Sequence, residues 1–276
     1  FEERVDELKK SIPDLIEKEL TTESKGLPTK DFKIVEECDE RRIISSAPDI
    51  SILDEMGTYE NVVAIGGGAV IDTAKILSKN PIKCYPTTAA GSSATSWSVY
   101  WDGPNKHSIK RMKPNQIAMS YLFVENLPDN VVKDTTYDVV SHCLDSMFSK
   151  KRTKKSVGYC EKALDLLTEE ESYKNFNLIR AGHIAGRAIE ITGTNVLHSL
   201  SYPLTGHYGI THGTALGYFI PRISELHDYD VSDIVGDTKI ELDINIRFVI
   251  IEALKYSKIH DSEIYISKEV LLEVLK

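Results

Sequence analysis

Cysteine is scarce in this 276-residue sequence, and its four copies are widely separated. Cys38, Cys84, Cys143 and Cys160 form no close pair of the kind that a zinc ribbon or a small disulfide framework needs. Unpaired thiols are typical of reducing compartments. We therefore expect a cytoplasmic protein whose cysteines are reduced.

The sequence also lacks long apolar runs and any excess of positive charge. No run approaches the ~20 apolar residues of a membrane-spanning helix, and no signal peptide is recognisable at the start. The formal net charge of -9 argues against nucleic acid and anionic membranes as partners. A hydrophobic content of 41% is enough to bury a core. These features predict a soluble globular protein.

Histidine is concentrated in one short stretch, which holds three of the eight copies: His198, His207 and His212. A second cluster lies upstream, where Asp138 and His142 are four residues apart and would share one face of a helix. Together the clusters offer one carboxylate and four imidazoles; the carboxylate with three of the imidazoles would make a ligand set that suits a first-row divalent metal. The alternative is that these are core or surface histidines that merely fall close together in the sequence.

A run of glycines follows the first clear strand pattern. Residues 61–65 are apolar and end at Gly66, Gly67 and Gly68, and a helical pattern follows over residues 69–77. This arrangement favours phosphate binding, because free backbone N–H groups and the helix dipole point at the anion. It matches neither the Gly-x-Gly-x-x-Gly fingerprint nor a Walker loop. An ordinary tight turn between a strand and a helix is the alternative.

The pattern changes from mixed to helical at about residue 128. Strands are predicted at 82–85 and 116–124, and an amphipathic helix is predicted over residues 1–20. We therefore predict an α/β domain with a parallel sheet over residues 1–128. An all-helical metal- and substrate-binding domain is predicted over residues 129–276.

A basic cluster accompanies a hairpin predicted over residues 97–109. Lys106, Lys110, Arg111 and Lys113 are close together in a protein of net negative charge. One or more of these side chains would attract a phosphonate or a carboxylate on a substrate. A solvated basic loop is the alternative.

These motifs resemble the iron-containing (group III) alcohol dehydrogenases, the superfamily that includes glycerol dehydrogenase and dehydroquinate synthase. The resemblance covers roughly residues 60–222. It rests on the glycine turn with Asp72 and Lys75, on the stretch from Pro86 to Ala89, and on the order and spacing of the histidines. It implies a dehydroquinate synthase-like architecture, in which residues 1–128 form a Rossmann-like dinucleotide-binding domain. The implied cofactors are NAD or NADP and a divalent metal, Fe2+ or Zn2+. The implied activity is hydride transfer between the nicotinamide and a small aldehyde or alcohol.

The resemblance also gives individual residues a role. The implied metal ligands are Asp138, His142, His198 and His212. The implied cofactor-binding residues are Gly66, Gly67, Gly68, Asp72, Thr87, Thr88, Ser93 and Lys106. Tyr202 stands where some members carry another histidine that relays protons. Tyr202 and His207 are therefore the candidates for proton relay or substrate contact.

Several alternatives remain open at this point. Trp97 and Trp101 are most similar to the phosphonoacetaldehyde reductase branch, which implies reduction of a small, polar, anionic aldehyde. One rival is a lyase or synthase of the dehydroquinate synthase type, which uses its cofactor transiently. Another is a non-catalytic relative that binds nucleotide or metal, since residues 21–60 do not reproduce the family's usual beginning. We also expect a homodimer.

Overall fold

The computed structural model describes residues 49–50, 53, 57–169, 174–236 and 240–275. The helix predicted over residues 1–20 lies outside these residues, as does most of the region before the first strand.

A small parallel sheet forms the first layer. Its strands are β1 (Val63–Gly66), β2 (Lys83–Pro86) and β5 (Gln116–Ile117), in the order β1-β2-β5. Helix α1 (Gly68–Leu77) connects β1 to β2 and covers one face of the sheet. A separate apolar cluster, formed by Ala64, Ile71, Ala74, Ile82 and Cys84, holds this layer together. The strand, turn and helix that the glycine motif predicts are confirmed.

The predicted hairpin is also confirmed. Strands β3 (Trp97–Asp102) and β4 (Asn105–Lys110) pair antiparallel, with Asp102 opposite Asn105 across the turn. The Lys75 ammonium holds the start of β3 in place, since it donates to the carbonyl oxygens of Thr95 and Trp97.

The strand predicted over residues 116–124 is only partly correct. Pairing with β2 stops at Ile117, and the chain turns into a 3-10 helix over Tyr121–Phe123. The Ser120 hydroxyl accepts a hydrogen bond from the Leu122 N–H and so caps that turn. A local side-chain cap has prevailed over an apolar pattern that also suits a strand.

From Asp129 onwards the chain is helical. The helices are α2 (Asp129–Met147), α3 (Lys154–Thr168), α4 (Lys174–Thr192), α5 (Val196–Tyr208), α6 (His212–Leu226), α7 (Ser232–Val235), α8 (Ile246–Ala253) and α9 (Lys268–Val274). A 3-10 helix over Ser257–Asp261 joins α8 to the last segment. Fully buried aliphatic side chains such as Leu197, Leu200 and Leu216 place the main core inside this bundle.

The hairpin turn packs directly against helix α5, which brings β4 close to the bundle. A Cβ atom on Gly206 would lie 2.1 Å from the carbonyl oxygen of Pro104, so only glycine permits this approach. Lys106 on β4 is thereby placed beside Tyr202 on α5, with its ammonium 4.2 Å from the centre of the tyrosine ring.

The predicted fold class is therefore confirmed: a parallel α/β layer is followed by an all-helical region. The domain boundary between residues 128 and 129 stays a prediction. No helix in the described part of the chain combines the length and the apolar character needed to cross a bilayer.

Candidate metal and dinucleotide site

Three imidazoles converge on one carboxylate oxygen inside the helical bundle. Asp138 Oδ1 on α2 lies 3.4 Å from His198 Nε2, 3.5 Å from His142 Nε2 and 3.8 Å from His212 Nε2. Helical spacing puts Asp138 and His142 on one face of α2. His198 lies near the start of α5, and His212 begins α6.

Three of the four residues are mutually close enough to share one ion, and the fourth, His142, lies beside two of them. The candidate ligand atoms of Asp138, His198 and His212 all lie within 4.8 Å of one another. His142 joins this group through Asp138, and its ring stacks on that of His198 with 4.7 Å between centroids. Ligands bound at ~2.1 Å in a tetrahedral arrangement are themselves ~3.4 Å apart. The observed separations therefore suit a metal ion.

The hydrogen bonds of the surrounding residues leave the Nε2 atoms free for such an ion. Asp145 Oδ2 lies 2.9 Å from His198 Nδ1, and a carboxylate can only accept, so the proton of that ring is on Nδ1. Ser201 donates its own proton to the His198 carbonyl, so its oxygen accepts from His212 Nδ1 at 3.3 Å. Each Nε2 then presents a lone pair towards Asp138.

Two acceptors that face each other in a buried site need a cation between them. Asp138 Oδ1 and His198 Nε2 are buried and have no hydrogen-bond partner among the described residues. Leaving such atoms unpaired costs free energy, roughly 1–3 kcal/mol for each neutral group. A divalent metal would satisfy both, so the residues present fit the group.

Electrostatics keeps the candidate ligands in the forms that bind metal. Burial raises the pKa of the Asp138 carboxyl, but the neighbouring imidazoles outweigh burial and hold this pKa well below its usual range. Burial lowers the pKa of His142 to about 4, and Asp138 offsets this only in part. Burial, and then the charge of Lys106, lowers the pKa of His212 as well. The carboxylate is therefore ionised and these imidazoles are neutral near pH 7.

Asp145 and Ser201 were not predicted from the sequence. Asp145 also accepts from the backbone N–H groups of Asn195 and Leu197, so it anchors the start of α5 while it orients His198. The spacing of Asp145, three residues after His142 on α2, would suggest a contact with His142, whereas the histidine that it orients is His198 on α5. Ser201, among many small residues, gave no such signal.

The glycine turn lies against the segment that follows β2. A Cβ atom on Gly67 would come within 2.8 Å of Thr88 Oγ1, and one on Gly68 within 2.9 Å of the Ala90 Cβ. Thr87 donates its backbone N–H to the Gly66 carbonyl. The two glycine- and hydroxyl-rich segments thus meet at the carboxyl edge of the parallel sheet, where nucleotides bind in α/β folds.

The other predicted cofactor residues are held by protein contacts. Asp72 forms an ion pair with Lys75 at 2.9 Å and accepts from the Val99 N–H. Burial raises the pKa of Asp72, and Lys75 opposes that rise. The Ser93 hydroxyl lies 3.3 Å from His183 Nδ1. Their roles towards a dinucleotide stay predictions.

The two candidates for proton relay lie in different surroundings. Tyr202 is 3% exposed, and its ring lies 6.2 Å from that of His212 and 6.4 Å from that of His198. His207 is exposed and packs edge-on against Phe248. Within the described ranges His207 has no contact with the imidazole cluster, so only Tyr202 gains support from its position.

Arg111, one member of the predicted basic cluster, contacts main-chain carbonyl groups. Its guanidinium donates to the carbonyl oxygens of Lys75, Ile76 and Ser78 and so caps the end of α1. Lys110 and Lys113 are exposed. Of the predicted basic cluster, only Lys106 faces the site.

Comparison with known proteins agrees with this geometry. Residues 132–237 match the family model for the C-terminal domain of the Fe-containing alcohol dehydrogenases. The matched segment contains Asp138, His142, His198 and His212, so all four candidate ligands lie within the part of the chain that is similar to this family.

Relatives and solved structures extend the similarity into the first layer. Phosphonoacetaldehyde reductase of Streptomyces viridochromogenes is 25% identical over 203 residues, which cover 58% of this chain and 51% of the relative. The 4-hydroxybutyrate dehydrogenase of Clostridium kluyveri is 26% identical over 211 residues, covering 63% and 57%. The chain thus spans about half the length of these relatives.

Two solved structures show the same fold. An iron-containing alcohol dehydrogenase superposes with a TM-score of 0.75 at 20% identity, covering 84% of this chain and 80% of the other. Sulfoacetaldehyde reductase of Bifidobacterium kashiwanohense, in complex with NAD+, gives 0.71 at 20% identity, covering 84% and 81%. The predicted resemblance to the iron-containing alcohol dehydrogenases is confirmed.

Proposed function

We propose that this protein is a metal-dependent oxidoreductase that transfers hydride between NADH or NADPH and a small aldehyde, giving the alcohol. The observation that carries the proposal is the convergence of three imidazole Nε2 atoms on Asp138 Oδ1, with the protons of His198 and His212 held on the far side of each ring. Bound there, Fe2+ or Zn2+ would act as a Lewis acid that polarises the carbonyl group.

The chain's own residues would position both the metal and the dinucleotide. Asp138, His142, His198 and His212 would hold the metal, with Asp145 and Ser201 fixing ring orientation. The glycine turn leaves backbone N–H groups at the start of α1 free of side chains, which is where a pyrophosphate would bind. The buried Tyr202 excludes water beside the imidazoles.

Reduction of an aldehyde also requires a proton for the product oxygen. Burial raises the pKa of Tyr202 well above its usual range, so the phenol is neutral and keeps its proton. Lys258 donates to the phenol oxygen, which leaves the phenolic hydrogen available to a substrate. Tyr202 is therefore the proton donor that we propose.

The names of several relatives fit a small anionic substrate. Proteins similar to this chain include ones named for phosphonoacetaldehyde, 4-hydroxybutyrate and sulfoacetaldehyde. We extend this class of substrate to the present chain as part of the proposal. The three buried free thiols, Cys84, Cys143 and Cys160, support a reducing, cytoplasmic compartment. A homodimer, with the domain boundary at residue 128, completes the proposal.

Measurements of turnover and of ligand binding distinguish the proposed oxidoreductase from a synthase and from a non-catalytic relative. The purified protein is loaded with Fe2+ or Zn2+ and mixed with NADH or NADPH and a panel of small aldehydes. Stoichiometric oxidation of the reduced cofactor, lost on chelation and regained when metal is returned, is the expected result. A synthase would show no net cofactor oxidation. A non-catalytic relative would bind cofactor and metal in a calorimeter without turnover.

A further inference from the structure

Two lysine ammonium groups lie over the ring of one tyrosine. The Lys258 ammonium, from the 3-10 helix Ser257–Asp261, lies 4.4 Å from the centre of the Tyr202 ring, and that of Lys106 on β4 lies 4.2 Å from it. Both side chains keep some solvent exposure, although their ammonium groups are enclosed by protein atoms. Two positive charges that share one aromatic neighbour repel each other.

No carboxylate compensates Lys258 directly. Among the described residues it has no acidic partner within 4 Å, and it donates to the phenol oxygen of Tyr202 and, at 2.8 Å, to Thr194 Oγ1. The nearest acidic groups are already engaged, Asp145 with His198 and Asp261 with Lys151. An ammonium has three N–H donors, so one remains for a ligand.

Lys106 also lacks a carboxylate of its own, because both acidic groups near it interact with other residues. The carboxylates that favour its charged form are Asp138, in the imidazole cluster, and Asp72, which pairs with Lys75. A divalent ion beside Asp138 would offset that carboxylate's charge and leave the pair of lysines more positive. Burial lowers the pKa of Lys106 to about 8, while burial and then the charge of Lys106 lower that of Lys258 to about 7. A bound anion would favour the charged form of both ammonium groups and would raise both pKa values.

We propose that Lys258, with Lys106 beside it, binds the anionic group of the substrate. The class of ligand is a small oxyanion carried by a short aldehyde: a carboxylate, a sulfonate or a phosphonate. This inference rests on the proposed function and names its substrate. The Tyr202 ring lies near both groups, because its centre is 4.4 Å from the Lys258 ammonium and 6.2 Å from the centre of the His212 ring. A short molecule that spans this ring would reach both. Lys258 and Lys106 would thus bind the anion that the sequence assigned to one or more of Lys106, Lys110, Arg111 and Lys113.

Binding of methanesulfonate tests the proposal without turnover. This probe is anionic throughout the useful pH range and contains no aldehyde, so its affinity reports only on the cationic pair formed by Lys258 and Lys106. We compare wild type, Lys258→Met and Lys255→Met, each as the metal-loaded protein with NADH, by calorimetry or by saturation-transfer NMR on the probe's methyl group. Lys255 is the matched control, because it is an exposed lysine that pairs with Glu252.

Loss of one charge-assisted hydrogen bond weakens binding roughly ten- to hundredfold, and that loss is expected for Lys258→Met. Lys255→Met should bind the probe as wild type does. Equal affinities in wild type and Lys258→Met overturn the proposal. If Lys258→Met does not fold, as judged by circular dichroism, Lys258→Gln is measured instead, since it keeps a polar group that can bond to Thr194 or Tyr202.

A kinetic comparison separates anion recognition from a role in the chemistry. The ratio of kcat/KM for phosphonoacetaldehyde to that for propanal should fall about tenfold in Lys258→Met. An unchanged ratio, with both aldehydes slowed equally, would mean that Lys258 serves Tyr202 instead, and the proposal fails. If wild type reduces no aldehyde at all, the proposed function fails, while methanesulfonate binding still decides the anion site.

Discussion

Asp145 Oδ2 lies 2.9 Å from His198 Nδ1, and this hydrogen bond determines which nitrogen of the ring faces the metal cluster. The ring is 2% exposed, so water cannot substitute for the carboxylate. Burial raises the pKa of Asp145, but the hydrogen bond from His198 and the backbone donors outweigh it and lower that pKa. An ionised acceptor fixes the proton on Nδ1 and leaves Nε2 to bind metal.

Asp145→Asn should therefore weaken metal binding while the ligands themselves remain. The amide can donate to Nδ1, which would place the ring proton on Nε2, facing the metal. A loss of ~10–100-fold in affinity is expected, measured by competition with a chromophoric chelator. Asp165→Asn, an exposed change of the same kind on α3, is the control and should bind as wild type. Equal affinities for both variants would show that Asp145 only anchors α5.

The glycine turn can be tested independently of the metal. Gly67→Val would drive a branched side chain towards Thr88, because even a Cβ there lies 2.8 Å from Thr88 Oγ1. We expect at least a tenfold loss of NADH or NADPH affinity by calorimetry, with metal content unchanged. Gly158→Val is the matched control, since a Cβ at Gly158 meets nothing within 4 Å. Undiminished affinity in Gly67→Val would mean that the glycines form only a tight turn.

The cationic pair should leave a signature in the pH dependence of stability. The pKa of Lys258 is lowered from 10.5 to about 7 by burial and by Lys106, with Asp145 and Asp261 opposing. Between these values the unfolded chain keeps a proton that the folded chain has released, so Lys258 makes the folded state more stable as pH rises through this window. Below pH 7 this gain is absent.

Chemical denaturation of wild type and Lys258→Met between pH 7 and about pH 10 measures this effect. The free energy of unfolding of wild type, relative to Lys258→Met, should increase with pH. The free energy of unfolding of Lys255→Met should change with pH as that of wild type does, because that lysine is exposed. Parallel curves for wild type and Lys258→Met would contradict the lowered pKa.

Much of the fold follows from local patterns in the sequence. The apolar strand before Gly66, the helix after Gly68 and the turn residues of the hairpin each specify their structure through short-range chemistry. The strand predicted to reach residue 124 was wrong beyond Ile117, because the cap at Ser120 depends on one hydroxyl that an apolar pattern does not register.

The site was predictable to the extent that its residues are close in sequence or match the family. Helical spacing joins Asp138 to His142, and the family pattern adds His198 and His212. Lys258 was missed, because it reaches Tyr202 from 56 residues away along the chain. Arg111 was included in the candidate anion-binding cluster for a similar reason. The Arg111 guanidinium donates to main-chain carbonyl groups on α1, and a pattern of side chains in the sequence does not predict contacts with the main chain.

The central claim is that Asp138 and its imidazoles bind a divalent metal on which activity depends. His198→Ala and His212→Ala each remove one ligand, and losing a direct ligand should cost at least the ~10–100-fold in affinity that follows the loss of a supporting hydrogen bond. His260→Ala is the control, because that side chain is exposed and lies outside the cluster.

The most direct measurement is the metal content of these proteins after equilibration with limiting Fe2+ or Zn2+, read by elemental analysis beside NADH oxidation. One ion per chain in wild type and His260→Ala is expected. Near-zero metal and no turnover are expected in His198→Ala and His212→Ala, with cofactor binding retained. One ion per chain retained in both ligand variants would contradict the account.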